Sequence, residues 1–358
     1  MYSLKMLCAG LFFGCLATTA GAAPYDVSLP RNAVPPNVVS TPNKPMMMLA
    51  TSKDHTLFGP IYNDFEDLEG DGTIETTFKP TFKYYGYFDA VKCYTYDSAG
   101  LFVPSNMATL TADKRYTCGG AGQWSGNFLN WATMTRMDVI RKMLYGGKRS
   151  TDTATATVVA NQVTAVTGSR TILERAGLSQ DAHSFVKFYR GTDIADYTPF
   201  SVASLTKAGG SNPGVYAGLS ICSRSDGNTN GGVVPQIRMA KGNYLLWATI
   251  PKLVCRWSDE NASNSANFTA KSARYYKDVE KGNGAISHEV NRPNKDVDGA
   301  KYSSFGPELT VRVEACKASL LGEERCQAYP PQLKDNYKPY GIFQEFSMPQ
   351  DATSAARV

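Results

Sequence analysis

The chain has 358 residues and a formal net charge of +5, from 37 Lys and Arg against 32 Asp and Glu. The charge is mild and its basic residues are dispersed, which excludes a nucleic-acid-binding stripe. The length and the 42% hydrophobic fraction allow one large or two ordinary domains. P-loop, dinucleotide-binding, GxSxG and HExxH patterns do not occur in the sequence, so the corresponding enzyme classes have no signature.

The first 22 residues have the features of a secretory signal. Lys5 supplies the positive charge, residues 6–16 form a short apolar run, and an Ala-Gly-Ala sequence ends at Ala22. The apolar run is too short to span a bilayer. We therefore expect an exported protein with a signal peptide (1–22), a Pro-rich extended arm (23–44), a main domain (45–346) and a tail (347–358).

Six cysteines follow the signal, and they form three pairs that are close in sequence: Cys93/Cys118, Cys222/Cys255 and Cys316/Cys326. An even number in an exported chain indicates disulfides, although six cysteines allow fifteen connectivities. We favour the local pairing because each pair brackets one loop-rich stretch. A zinc site is the alternative, but no CxxC or His-paired spacing supports it.

An acidic loop early in the main domain carries the best candidate ligands for a metal ion. Asp67, Glu69 and Asp71 place three carboxylates on alternate residues, followed by a glycine. Oxygen ligands at this spacing suit a hard cation such as calcium. The twelfth position of an EF-hand would hold a bidentate Glu, and here it is Phe78. The alternative is a plain turn in which Asx side chains bond their own backbone.

The clearest periodic pattern predicts one long central helix over Gln123–Gly147, with an apolar face, a polar cap at its start and two glycines at its end. Trp131 falls on the polar face, and Arg136 falls in the middle of the apolar one. There are two alternatives for Arg136. Its aliphatic stem is buried and its guanidinium reaches solvent at the rim of the apolar face, or the guanidinium pairs with a buried carboxylate from Asp89 or the acidic loop. Both residues are interpreted as structural, locking the helix to its neighbours.

The remaining patterns favour β-structure on both sides of this helix. We predict strands in an aromatic segment (82–96), a Thr/Val/Ala run (154–166) and the segments 45–51, 244–255 and 309–316, with a short helix within 170–189 and a loop at 206–232. The predicted fold class is α+β: mixed β-structure packed on one long central helix and stapled by disulfides.

The histidines offer little support for catalysis. His55, His183 and His288 are isolated in sequence, although an aspartate lies near each of the first two. Sequence neighbours do not establish the geometry of a catalytic triad. An exported hydrolase that uses Asp and His residues is therefore the alternative function.

Several long blocks of the sequence have a distinctive wording. In chain order they read KPMMMLATSKDHTLFGPIYNDFEDLEGDGTIETTFKP, YYGYFDAVKCYTY, WSGNFLNWATMTRMDVIRKMLYGG, QDAHSFVKFY and ELTVRVEACKASLLGEERCQAY with YKPYGIFQEF. These blocks resemble the N-terminal region of the PilC/PilY family of type IV pilus proteins. They run in family order from Lys44 to Phe346, which covers nearly all of the chain after the signal.

The resemblance implies a fimbrial tip adhesin or pilus-assembly factor linked to twitching motility, located in the periplasm, at the outer membrane or at the pilus tip. Family members normally continue into a C-terminal β-propeller with a calcium site, whose residues have no counterpart here. The chain is expected to be the N-terminal portion alone: a fragment, the product of a truncated gene, or a protein that works with a separately encoded propeller. Some members also carry a von Willebrand factor A domain, so a degenerate α/β core of that type is the alternative architecture, although its DxSxS motif is not matched.

These observations together predict a non-enzymatic protein of pilus biogenesis or surface adhesion. The expected partners are pilins and minor pilins, the separate propeller, and a host or abiotic surface, without nucleic acid. Calcium is the only cofactor that the sequence suggests.

Overall fold

The computed structural model describes residues 54–159, 162–178, 183–206, 214–227, 233–245, 308–329 and 336–347. In these residues the fold combines two larger β-sheets and two two-stranded sheets with three short helices, of which the first two are consecutive. The helices are α1 (Gly126–Thr133), α2 (Arg136–Tyr145) and a C-terminal α3 (Ile342–Ser347). The strands are β1 (Lys92–Tyr96), β2 (Phe102–Met107), β3 (Thr109–Leu110), β4 (Tyr116–Thr117), β5 (Gln123–Ser125), β6 (Arg149–Val159), β7 (Gln162–Glu174), β8 (Phe185–Tyr189), β9 (Leu219–Gly227), β10 (Val233–Lys241), β11 (Leu309–Thr310), β12 (Arg312–Ala315), β13 (Cys326–Ala328) and β14 (Tyr337–Pro339).

The larger sheet has six strands in the order β5-β1-β2-β12-β7-β6, and a second sheet has four in the order β11-β10-β9-β8. Among the described strands, β12 and β2 form the only parallel pair. A mixed sheet with few helices agrees with the coarse α+β prediction. The von Willebrand factor A alternative is not confirmed, because that architecture needs a mainly parallel sheet.

The single long helix predicted over Gln123–Gly147 is wrong. Its first three residues form β5, and the remainder is two helices separated at Met134 and Thr135. Met134 is extended (φ −77°, ψ 141°), and Thr135 starts α2 with a capping box in which Asp138 bonds back to the Thr135 backbone. This reciprocal cap satisfies the orphan N–H groups of a new helix, so it favours a fresh start over continuation.

Helix α1 lies in the middle of the core and is buried on all sides, from Gly126 to Thr133. Phe78 packs beside it at the centre of an aromatic cluster. Its ring centroid lies 5.1 to 5.6 Å from those of five other rings, Tyr84, Phe128, Trp131, Tyr189 and Tyr197. Such spacings are those of favourable aromatic pairs, so this cluster joins α1 to β8 and to the segment before β1.

The aromatic segment from Phe82 to Val91 wraps over α1 as irregular backbone, and β-structure begins only at β1. Two amide side chains of α1 take the place of a strand partner. Asn127 accepts from the Tyr84 N–H (2.7 Å) and donates to the Phe82 carbonyl (2.8 Å). Asn130 accepts from the Phe88 N–H (3.1 Å) and donates to the carbonyls of Tyr84 (2.8 Å) and Phe88 (2.9 Å). The segment thereby satisfies buried backbone groups without a sheet.

Gly86 is required by this close approach. A Cβ at this position would lie 2.2 Å from Asn130 Oδ1 and 2.4 Å from Met134 Cγ. Those distances are far inside van der Waals contact, so any side chain would push the segment off α1. Gly86 is therefore needed for the close packing of the aromatic segment against α1.

Later elements confirm some of the predicted strands. The Thr/Val/Ala run forms a long hairpin of β6 and β7, and the segment 309–316 contains β11 and β12. The short helix expected within 170–189 is wrong, because its described residues belong mainly to β7 and β8. The loop expected at 206–232 is wrong in part, since β9 pairs with β10 over nine positions. Several predicted segments lie outside the described residues. They are the signal peptide (1–22), the Pro-rich segment (23–44), the strand 45–51, most of the strand 244–255 and most of the tail (347–358).

We expect Asn130→Ala to lower the free energy of unfolding by about 3–5 kcal/mol, because three buried backbone groups lose their partner. Urea unfolding followed by tryptophan fluorescence measures the change. Asn106→Ala, at an exposed position of β2, is the control and should cost less than about 1 kcal/mol. Equal losses in the two variants would show that the α1 amides do not hold the aromatic segment.

Candidate functional site

The described disulfides join two of the sequence-local pairs. Cys93 is bonded to Cys118 and Cys316 to Cys326, with Cα–Cα distances of 5.6 Å in both. Cys222 is also disulfide-bonded, and Cys255 lies outside the described residues. The first bridge ties β1 to the loop before β5, so it anchors the entry to α1.

The acidic loop is organised around Asp67, whose carboxylate accepts three backbone N–H groups. Oδ1 accepts from Gly70 (2.7 Å) and Asp71 (3.1 Å), and Oδ2 accepts from Gly72 (2.8 Å). These bonds, chiefly the one from Gly72, lower the pKa of Asp67. This is the Asx-turn arrangement that the sequence offered as the alternative to a calcium loop.

A lysine lies among the other carboxylates of this loop. Lys79 Nζ is 2.8 Å from Glu69, 2.6 Å from Glu75 and 3.8 Å from Asp71. The ammonium therefore occupies the position that a bound cation would take between Glu69 and Asp71. In this arrangement the loop fits calcium poorly, because its carboxylates already have a cation and backbone donors.

Trp131 connects α1 to the start of the acidic loop. Its indole N–H donates to Asp64 Oδ1 (3.1 Å), which also receives Lys187 Nζ from β8 (3.0 Å). The same lysine lies 5.4 Å from the centroid of the Trp131 ring. Helix, loop and strand thus meet at one half-buried carboxylate, consistent with a structural role for the tryptophan.

Arg136 is half-buried at the first position of α2 and donates to the Thr56 carbonyl (3.4 Å). The two candidate partners that the sequence suggested are engaged elsewhere. Asp89 accepts from the Glu323 N–H (2.8 Å) and lies 3.5 Å from Lys92 Nζ. The arginine therefore ties α2 to the turn at residues 55–58, and the rim interpretation describes it better than the buried pair.

A group of buried charges lies below the wrapped aromatic segment. The side chains of Lys92, Asp89 and Glu324 are 0%, 2% and 6% exposed, and Lys92 Nζ contacts both carboxylates. Burial raises the pKa of Glu324, while Lys92 opposes that shift. Such an ion cluster contributes little net stability but becomes costly when one member is removed.

Lys142 is the fourth buried charge and comes from α2. Its Nζ donates to the Gly86 carbonyl and lies 4.4 Å from the centroid of the Tyr85 ring. Burial lowers the pKa of Lys142 to about 8, and the nearby Asp89 and Glu324 limit that decrease. A small open cleft of about 110 Å³ lies beside these groups. The cleft is lined by the buried charges that connect the aromatic segment to α2, so we interpret it as a structural feature and not as a ligand site.

Two of the three histidines meet in space. His55 Nδ1 and His183 Nε2 are 2.6 Å apart, and the rings stack with centroids 4.7 Å apart and planes at 18°. Both side chains are exposed, and Asp54 precedes the first. The separation of 128 residues leaves no spacing signal, so the sequence could not pair them.

The hairpin of β6 and β7 extends beyond the body of the six-stranded sheet. We call this hairpin the arm; it is distinct from the Pro-rich segment 23–44. β7 pairs with β12 only over Thr171–Glu174, and β6 is the edge strand. Residues 153–168 contain no charged side chain. Val158 and Val159 are each 58% exposed. A neutral, β-branched edge without a protecting charge is unusual for a free strand, because it invites pairing with another chain.

Comparison with known proteins identifies the family. Residues 75–241 match a family model described as the PilY1 homolog, small alpha/beta domain. A type IV pilus biogenesis factor PilY1 homolog from Xylella fastidiosa strain Temecula1 is 32% identical over 308 residues, which cover 84% of this chain. The chain belongs to the PilY1 family. A second PilY1 homolog of the same organism is 35% identical over 280 residues, or 76% of the chain.

The chain spans only about one sixth of these relatives, since each match covers 17% of the relative's length. No solved structure matches the chain. The matched family domain extends from the acidic loop to the end of β10 and therefore contains the aromatic cluster, both helices and the arm. Within the described residues, no helix has the length and apolar character needed to cross a membrane.

Calcium binding by the acidic loop is still a prediction, and Lys79 provides its test. We expect calcium to raise the melting temperature of Lys79→Ala more than that of the wild type, because the variant has lost the competing ammonium. The melting temperature of each protein is measured with calcium and with a chelator. The double variant Asp67→Ala/Asp71→Ala is the control and should lose the effect. Identical melting of the first two proteins with and without calcium would contradict the site.

Because Lys142 is buried, the free energy of unfolding should depend on pH in the alkaline range. Its folded pKa of about 8 lies below the unfolded value of 10.5, so between these values the unfolded chain binds more protons. Stability should therefore rise with pH in this window, by about 2 kcal/mol from pH 8 to pH 10 for this group. We expect Lys142→Met to remove that part of the rise. Chemical unfolding at both pH values compares the proteins, and equal slopes would show that Lys142 is not a buried cation.

Proposed function

We propose that this chain is a non-enzymatic component of type IV pilus biogenesis, exported to the cell envelope and acting at or near the pilus. The observation that carries the proposal is the match, over most of the chain, to two relatives named as pilus biogenesis factors. The arrangement of its charged residues supports a binding protein. Asp64, Asp89 and Glu324 hold α1, β1 and β8 together, and so have structural duties.

The arm is the surface through which we propose that the protein contacts the pilus. β6 is eleven residues long, and its outer edge pairs with no described strand. Its pairing with β7 has three register irregularities, so short regular stretches of this edge offer backbone donors and acceptors. Strand addition to such an edge gives affinity through main-chain hydrogen bonds and needs no charged side chains. The occupant that we propose is an extended segment of a pilin or minor pilin. Surface adhesion is a further role that exposed valines at the arm's end would support.

We expect Thr155→Lys/Thr157→Lys to reduce surface piliation and twitching, because charges on an edge strand oppose the approach of another strand. Both threonines are exposed on β6, so the variant should fold. Thr109→Lys, at an exposed position of β3, is the matched control. The variants replace the chromosomal gene in the source bacterium, and sheared pili and motility zones are measured.

Loss of pili in the Thr109→Lys control as well would point to a general effect of added charge. Normal piliation and motility in the arm variant, with normal protein level, would exclude the arm as the contact surface. Loss of both phenotypes on deletion of the gene tests the pilus function separately. If the deletion strain remains fully piliated and motile, the proposed function itself is wrong.

A further inference from the structure

The contact between His55 and His183 has a chemistry that pilus assembly does not explain. Two ring nitrogens 2.6 Å apart must share a hydrogen, one ring donating and the other accepting. A transition metal can replace that shared proton, since it binds both nitrogens in their deprotonated form. The pair is exposed, so an ion in solution can reach it.

We propose that His55 and His183 form a two-histidine site for a first-row divalent cation of the zinc class. Two Zn–N bonds of about 2.0–2.1 Å at a tetrahedral angle place the nitrogens about 3.3 Å apart. The rings would have to separate by about 0.7 Å, which exposed side chains can do by small rotations. Imidazole suits zinc, copper and nickel, whereas calcium prefers oxygen, so this site is distinct from the acidic loop.

Both histidines are held by rigid elements. His55 opens the 3-10 turn His55–Phe58, which is tied to α2 where Arg136 N donates to the Gly59 carbonyl (3.2 Å). His183 lies two residues before β8, a strand of the four-stranded sheet. A metal held between them would bridge the helical layer and the sheet. Sites on such supports keep their geometry better than sites on free loops.

His183 has a left-handed backbone, with a φ of +62°. Histidine is among the non-glycine residues that adopt this region more often than others, so the angle is no sign of strain. It does limit the substitutions that position 183 tolerates, and asparagine is one of those that fit.

Asp54 holds the turn that carries His55. It precedes His55 and caps the turn, accepting from the Thr56 N–H and hydroxyl, both at 2.8 Å. Among the described residues, no third histidine, cysteine or carboxylate lies within ligand distance of both ring nitrogens. The two imidazoles are therefore the protein ligands of the proposed site, and water would fill the remaining positions.

Zinc binding is measured by isothermal titration of ZnCl₂ into the oxidised full chain, together with the melting temperature. We expect one zinc per chain and a higher melting temperature in the wild type. His55→Asn and His183→Asn should each weaken binding at least tenfold and lose the thermal shift. Asparagine is chosen because it tolerates the positive φ at position 183. Asp54→Asn should weaken binding less than either histidine variant.

His288→Asn is the matched control, since His288 lies outside the described residues and completes the set of three histidines. It should bind zinc like the wild type. Circular dichroism confirms that each variant is folded. The proposal is overturned if the wild type takes up no zinc, or if either His55→Asn or His183→Asn binds it with unchanged affinity. These outcomes do not depend on piliation, so they leave the proposed pilus function untouched.

Discussion

The hydrogen bonds from Asn127 and Asn130 to the wrapped aromatic segment are the constraint on which the rest of the structure depends. The segment has no strand partner from Phe82 to Val91, yet Tyr84 and residues 86–91 are buried. Without those amides, several buried N–H and carbonyl groups would each cost about 1–3 kcal/mol. The bonds fix the segment on α1, and this fixes where β1 begins and where Asp89 enters the core.

The buried charges follow from the same constraint. Asp89 closes the wrapped segment and lies beside Lys92, the first residue of β1. Lys142 reaches the segment from below, through the Gly86 carbonyl. Each cation therefore satisfies backbone or carboxylate oxygens that the irregular path leaves inside the protein. Ion clusters of this kind specify one arrangement more than they add stability, because their desolvation offsets much of the attraction.

The sequence predicted the strongest local features and missed those set by tertiary contacts. Amphipathic periodicity located the helical region, but it did not predict which residues are buried: α1 is buried on all sides, and the buried residues of α2 are Met137, Asp138 and Lys142. It could not show the break at Met134, since the pattern continues across it. The Thr135 and Asp138 pair was a readable signal, because a hydroxyl followed three residues later by an acid is a helix start. That signal was outweighed by the apolar periodicity.

In the candidate sites, too, the sequence indicates local patterns but not tertiary contacts. The carboxylates of Asp67, Glu69 and Asp71 were found from their spacing, but the sequence did not show that Lys79 lies among them. Nor could it bring His55 to His183. Contacts between distant residues depend on the path of the whole chain, which no local pattern encodes. Spacing therefore identifies ligands that share a loop and overlooks ligands that share a surface.

The distribution of charge distinguishes the interior of this domain from the arm. Several lysines and carboxylates are buried, where they join irregular segments, while the arm of β6 and β7 carries no charge between residues 153 and 168. A two-stranded ribbon is only marginally stable alone in water, and a neutral edge strand favours association with another strand. The composition of the arm is therefore the physical basis of the contact surface that we propose. The family match and the physical character of the arm support the same proposal, that this domain works by binding.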